Sequence, residues 1–279
     1  MSRGIRLEPL VSTALHAVAR AFPEILSVYA GSFAVETKED HSPVTEADRR
    51  SSRIITRVLS EASPYPVLSE EGPSVPYSER SGWRYLWVVD PLDGTKEFVK
   101  RNGEFTINIA LVDGNIPVLG VVYAPLPDLL YFAWSAGGSY RLKGFAALAS
   151  RIPEDLPGRA TRLQAKRPFA FDKQQKVETL TVIASRSHRG PHFTAYVRKL
   201  KRLYAEKVEI LTSGSALKPC LVADGSADIY PRFGPTMEWD TAAPHVVVRE
   251  VGKRMACMES GVELAYNKES LVNPSFLVY

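Results

Sequence analysis

The sequence predicts a mixed fold of the α+β / α/β class, and three observations carry that prediction. Short alternating apolar runs crowd the stretch from Pro66 to Trp134, joined by turn signals such as Asp113-Gly114-Asn115. Two amphipathic segments precede them, so an antiparallel-rich sheet with flanking helices is expected. From Leu180 onward, strand-like and helix-like segments alternate as α/β units. Between the halves, from Lys143 to Lys176, the pattern weakens and Arg, Lys, Pro and Ala dominate. That stretch reads as a mobile insertion and boundary. It separates an N-terminal α+β domain, residues 1–166, from a C-terminal α/β domain, residues 167–279.

Taken in order, the first helix is expected from Pro9 to Tyr29, with Pro9 in its first turn and Gly31 as its stop. Ser42-Pro43-Val44-Thr45 is extended or turn-like. Thr45-Glu46-Ala47-Asp48 suits the cap of a second helix with Ile54, Ile55, Val58 and Leu59 on one face. Pro66 to Ser69 reads as a short strand delivering Glu70-Glu71, and Tyr85 to Val89 as a strand running into Asp90. Phe105 to Val112, Val118 to Tyr123 and Leu129 to Trp134 follow as strands. In the second half the reading is strand Leu180 to Ala184, helix Phe193 to Leu203, strand Val208 to Leu211 and helix Ala216 to Ala223. Strand Ala227 to Tyr230 and helix Ala242 to Val251 complete it, which leaves Asp240 just ahead of the last helix.

Composition narrows the function classes. At 279 residues, with 45% hydrophobic and 24% charged residues, the chain has ordinary globular proportions and ample length for a core. A net charge of +4 suits a small polyanionic substrate and equally suits Lys and Arg scattered over the surface. The basic residues lack the interleaved aromatics of a stacking platform, so nucleic acid is not expected as the main partner. The two cysteines, Cys220 and Cys257, build no disulfide framework or zinc spacing, which favours a reducing, cytoplasmic setting. No apolar run approaches the ~20 residues of a membrane span. Peripheral attachment to the cytoplasmic face of an inner membrane stays open, and so does oligomeric state.

The chemistry concentrates in acids. Asp90-Pro91-Leu92-Asp93-Gly94-Thr95 follows the apolar run Trp87-Val88-Val89, and its Gly-Thr step can turn backbone N–H groups toward an anion. Glu70-Glu71 ends one strand, Asp90 ends another, Asp240 heads a helix, and Asp48 sits in a helix cap. Each acid alone reads equally well as a cap or turn residue. If the strand ends share an edge, the same oxygens form a hard-cation site suited to Mg²⁺. So many carboxylates packed together would repel without cations.

Three motifs in order resemble those of the inositol-monophosphatase-like, lithium-sensitive phosphatases: Leu68-Ser69-Glu70-Glu71, Asp90 through Thr95, and Trp239-Asp240-Thr241-Ala242-Ala243. The resemblance covers the chain from about Ser42 to Gly252. It implies a layered αβαβα sandwich of the inositol monophosphatase / fructose-1,6-bisphosphatase type, with two or three Mg²⁺ per site. By the same resemblance, Glu70, Asp90 and the Leu92 carbonyl bind one ion, and Asp90, Asp93 and Asp240 a second. Glu71 helps hold a third or orients a water. Thr95, supported by Asp48, positions and helps deprotonate the attacking water, while the Gly94 and Thr95 N–H groups grip the phosphate.

The residues after the loop narrow the resemblance. Thr95-Lys96-Glu97-Phe98 through Phe105-Thr106 is similar to the bacterial-type 3′(2′),5′-bisphosphate nucleotidases, as are Ser185-Arg186-Ser187-His188 and Gly225 through Thr236. This implies a small-molecule nucleotide bisphosphate as substrate and a role in sulfur assimilation. It also implies nucleotide contacts from His188, Ser215, Lys218 and Arg232, the last two forming a cationic clamp for the uncleaved phosphate. Ser215 also stands where a helix N-cap would, and His188 where a surface cap would. The sequence departs from the pattern at Pro244, where the family has Gly, at Pro219 beside Lys218, and in the long 143–176 stretch. An inositol or sugar phosphatase of the same fold is the enzymatic alternative. A basic RNA- or partner-binding protein on that scaffold is the non-enzymatic one.

Overall fold

A computed structural model of the chain describes residues 5–38, 43–164, 178–186, 190–204 and 207–279. Helix α1 (Glu8–Ala30) carries Pro9 in its first turn, where a missing N–H costs nothing, and ends at Gly31. Strands β1 (Val35–Thr37) and β2 (Pro43–Thr45) form a small antiparallel pair. Thr45 then caps α2 (Glu46–Ala62): its hydroxyl accepts the Ala47 N–H at 3.2 Å, and its own N–H donates to Asp48 at 2.8 Å. The capping box read from Thr45 and Asp48 is present.

After β3 (Val67–Ser69) and the short α3 (Tyr77–Arg80) comes the long β4 (Tyr85–Asp93), which runs straight through Asp90. The chain continues through α4 (Thr95–Val99), β5 (Thr106–Asp113), β6 (Ile116–Ala124), β7 (Leu129–Trp134), β8 (Gly138–Lys143), α5 (Leu156–Arg159) and β9 (Thr161–Arg162). Strands β3 to β9 lie in sequence order in one seven-stranded sheet, parallel between β3 and β4 and antiparallel elsewhere. The β5–β6 turn is the two-residue hairpin that Asp113-Gly114-Asn115 signalled, with Gly114 at φ 62°.

The second half contributes β10 (Leu180–Ala184), α6 (Pro191–Leu203), β11 (Val208–Thr212), α7 (Leu217–Ala223), β12 (Tyr230–Arg232), α8 (Glu238–Arg249), β13 (Met255–Cys257) and β14 (Phe276–Val278). Strands β10 and β11 pair in parallel, β14 lies between β12 and β13, and a Val182–Ile229 bridge links the two groups.

Strand alternation then dictates the layers. Trp87, Val89, Ile107, Ile109 and Tyr123 point to one face of the large sheet and bury the apolar stripes of α1 and α2. Their neighbours Leu86, Val88, Ala110 and Val122 point to the other face and meet α7 and α8. Beyond those helices stand Ile183, Met255, Phe276 and Val278 of the smaller strands. Leu180, Val182 and Ala184, on the far side of β10, pack on Phe193, Val197 and Leu200 of α6. The order is helices, sheet, helices, sheet, helix: the αβαβα sandwich.

Three expectations need correction. The stretch after Lys143 is not a patternless insertion as far as Leu163: β9 joins β8 at the edge of the large sheet, and Phe145 and Leu156 plug its core. Residues 165–177, with the boundary at 166/167, lie outside the described residues. Helix α8 begins at Glu238, so Asp240 sits in its first turn rather than before it, and Pro244 is inside the helix. The strand read at Ala227 to Tyr230 is displaced to Tyr230–Arg232, because Ala227 and Ile229 are core contacts approaching it.

Candidate active site

The parallel β3–β4 pair explains why acids from distant segments meet. Glu70 leaves the end of β3 with its N–H on the Val89 carbonyl, alongside Asp90 of β4. The register between β4 and β5 slips between Asp90 and Asp93, a bulge that brings both carboxylates to the same end. Helix α8 packs across the sheet and supplies Asp240. Its approach is close: a Cβ on Gly120 of β6 would lie 2.2 Å from the Ala243 carbonyl oxygen. Only glycine leaves room for the helix there.

One oxygen from each of Asp90, Asp93 and Asp240 lies within 4.8 Å of the others. Asp90 Oδ1 accepts the Leu92 N–H at 3.0 Å, while its buried Oδ2 has no hydrogen-bond partner among the described residues. Asp240 Oδ2 accepts the Met237 N–H at 2.9 Å. These acids, with Glu70, Leu92, Gly94 and Thr95, line an open cavity of about 610 Å³. Burial pushes the Asp90 carboxyl well above the usual range, and Glu70, Asp93 and Asp240 add to the effect. Burial and then Asp93 push Asp240 up to about 8. Burial likewise raises Glu70, Glu71 and Asp93, against the pull of Lys38 on the glutamates and of Lys218 on Asp93. A buried oxygen without a donor among the described residues, in a group of carboxylates that burial first and mutual repulsion second push toward their protonated forms, fits a divalent hard cation.

Asp48 is tied differently. Its Oδ2 accepts from the Thr45 N–H at 2.8 Å and the Thr45 hydroxyl at 2.6 Å, and its Oδ1 accepts from the Thr95 hydroxyl at 3.0 Å. Burial raises it, and those bonds from Thr45 and Thr95 restrain the rise. Thr95 opens α4, and Gly94 before it takes φ 93°. A Cβ at Gly94 would lie 2.9 Å from the Glu104 carbonyl oxygen. The turn therefore requires glycine twice over, for its conformation and for its contact.

A smaller recess of about 100 Å³ adjoins the acidic cavity and shares Asp93, Gly94, Glu97, Thr236 and Asp240 with it. Its walls include Ser215, Lys218, Tyr230 and Arg232. Lys218 is buried, donates to the Ser215 carbonyl at 2.5 Å and lies 5.6 Å from the centre of the Tyr230 ring. Burial lowers it to about 8, opposed by Asp93 and reinforced by Arg232. Pro219 falls in the first turn of α7 and leaves Lys218 facing the recess. Arg232 donates to the Gly234 and Pro235 carbonyls at 3.1 and 3.0 Å. Ser215, at φ 42°, keeps a buried hydroxyl without a partner among the described residues and does not cap α7. His188 lies outside the described residues.

The sequence reading did not single out Lys38. Its ammonium donates to Glu70 at 2.9 Å and to Glu71. A lysine in the charged run Glu36-Thr37-Lys38-Glu39-Asp40 looks like any surface cation. The available signal was the surplus of acids, which calls for a counter-charge.

Comparison with known proteins agrees with this geometry. The sequence matches the inositol monophosphatase family over residues 6–276. The 3′(2′),5′-bisphosphate nucleotidase CysQ of Salmonella typhimurium is 40% identical over 258 residues, which span 91% of this chain and 93% of its own. The enzyme of that name from Escherichia coli K12 matches to the same extent. Among solved structures, CysQ from Bacteroides thetaiotaomicron, a bacterial member of the inositol monophosphatase family, superposes with a TM-score of 0.85. It is 42% identical and covers 99% of this chain and 98% of that one.

Proposed function

Because the chain belongs to the inositol monophosphatase family, we propose that it is a magnesium-dependent 3′(2′),5′-bisphosphate nucleotidase. It hydrolyses the 3′-phosphate of adenosine 3′,5′-bisphosphate to AMP and phosphate, in sulfur assimilation. The curated relatives carry that activity in their names. The observation that carries the reading is the pair of adjoining cavities, which share Asp93, Glu97 and Asp240 but of which only the smaller is also lined by Lys218 and Arg232. One is walled by acids and suits metal ions with the scissile phosphate. The other holds Lys218 and Arg232, which suit a second phosphate that is kept.

In this reading Glu70, Asp90, the Leu92 carbonyl, Asp93 and Asp240 hold Mg²⁺, with Glu71 at the margin. Bound divalent ions supply Lewis acidity to the phosphoryl group and to the attacking water. The chain's own residues do the rest. The Thr95 hydroxyl gives its hydrogen to Asp48, which leaves its lone pairs free to take a proton from an attacking water. Asp48, with its pKa raised by burial, receives the proton that Thr95 releases. The Gly94 and Thr95 N–H groups at the head of α4 orient the phosphoryl oxygens. Lys218, Arg232 and the Ser215 hydroxyl hold the nucleotide end, with His188 assigned there by resemblance.

The test compares phosphate release from adenosine 3′,5′-bisphosphate, inositol 1-phosphate and fructose 1,6-bisphosphate, with Mg²⁺ and with added Li⁺. The bisphosphate nucleotide should be preferred by kcat/KM, and Li⁺ should inhibit by replacing Mg²⁺ with half its charge. Preference for either sugar phosphate would overturn the nucleotidase reading. Absence of turnover on all three would overturn the enzyme.

A further inference from the structure

Lys38 occupies an unusual place for a surface lysine. It directly follows β1, whose residues are all exposed, yet its ammonium lies between Glu70 and Glu71 at the wall of the acidic cavity. Both glutamates and the lysine are largely withdrawn from solvent, with side-chain exposures of 25%, 11% and 22%.

Charge balance gives this placement a consequence. Glu70, Glu71, Asp90, Asp93 and Asp240 carry five negative charges when ionised. For these five ligand carboxylates alone, two divalent ions at the Asp90–Asp93–Asp240 end leave one negative charge over, and Lys38 is the cation that contacts Glu70 and Glu71. A third divalent ion at Glu70–Glu71 would have to share the same oxygens with that ammonium, at a separation where like charges repel strongly. The lysine can leave without β1 moving, because its ammonium ends a flexible four-carbon stem at the wall of an open cavity.

We propose that Lys38 is a tethered cation that stands in for one divalent ion at Glu70–Glu71 and holds the substrate-free protein to two bound ions. A third ion enters when the ammonium withdraws, and an incoming phosphate dianion, which adds negative charge to the cavity, favours that exchange. This inference rests on the metal-dependent reading of the acids and concerns positioning of ions rather than bond making.

The test reads binding rather than turnover. Isothermal titration of Mg²⁺ into metal-free protein, without substrate, would compare the wild type with Lys38→Met and Lys38→Arg. Two ions are expected for the wild type and for Lys38→Arg, which keeps the charge. Lys38→Met should bind a third, at least about tenfold tighter than any third-ion binding in the wild type, as removal of a nearby like charge demands. Its metal-free thermal midpoint should fall, because Glu70 and Glu71 lose their counter-ion; Lys38→Gln serves as the second variant if Lys38→Met fails to fold. Equal stoichiometry and affinity in the wild type and Lys38→Met would overturn the proposal, as would weaker binding in Lys38→Met. No Mg²⁺ uptake by any variant would instead overturn the metal reading itself. Failure of the nucleotide assay with ion binding intact would touch only the substrate.

Discussion

At the scale of single residues, Asp90 shows how function and stability oppose one another. Its Oδ1 is used locally by the Leu92 N–H, and its Oδ2 is buried without a donor. An asparagine there would keep the Leu92 contact but turn an NH₂ toward the place prepared for a cation. Asp90→Asn should therefore lower kcat on the order of 10³-fold, the loss expected for a direct metal ligand. The same change removes a buried carboxyl that must take up a proton on folding, so the thermal midpoint of the EDTA-treated protein should rise. A fall in that midpoint would show that the acids are not in mutual repulsion. The acids were legible in the sequence because each sits in a short run of chemistry-bearing residues at a strand end or cap. Lys38 was not, since its neighbours are charged and its partners are 32 and 33 positions away. The unpartnered Ser215 hydroxyl was legible only as an N-cap, because the φ of 42° that denies it that role has no signature in the sequence.

At the scale of elements, the site is held by packing that no ligand touches. Helix α8 lies against Gly120 so closely that any side chain would strike the Ala243 carbonyl. Gly120→Ala should destabilise the fold by roughly 1–3 kcal/mol through overpacking, read from the urea midpoint. It should also weaken Mg²⁺ binding, because the displaced helix carries Asp240. Intact affinity in a destabilised variant would mean that α8 yields locally without moving its first turn. Strands β5, β6, β7 and β10 were readable because apolar residues alternate or run continuously between clear turns. The start of α8 was not. Met237-Glu238-Trp239-Asp240 has no apolar period, and Pro244 suggested a first turn where the structure has a helix interior. Strand β9 is two residues long and exposed, too short for any period to appear.

For the whole molecule, the five layers were not legible from periodicity, which places apolar stripes but not the order in which they stack. That order came from the resemblance of three motifs. What the assembled fold adds is a collective titration. In the metal-free state Glu70, Glu71, Asp90, Asp93 and Asp48 are all raised, and Asp240 is raised to about 8. A carboxyl raised on folding binds more protons in the native state than in the unfolded chain. Its contribution is fully present below about 4, the unfolded value, and is lost as pH climbs through the folded one. His245, lowered by burial to about 3, acts oppositely, but only below its unfolded value near 6.5. Lys218, lowered to about 8, acts oppositely only above that value. Between about pH 6.5 and 8 the acids dominate over the single opposing group among the described residues, the Cys257 thiol held below its usual value by Ser260, so the thermal midpoint of EDTA-treated protein should fall across that window. Mg²⁺ displaces those protons and neutralises the charges, so the midpoint shift it causes should grow from pH 6.5 to 8. Differential scanning calorimetry at fixed ionic strength, with EDTA and with saturating Mg²⁺, measures both slopes. A metal-induced shift independent of pH would mean that the carboxylates are already ionised before metal arrives. The repulsion that makes this fold costly without metal would then be absent.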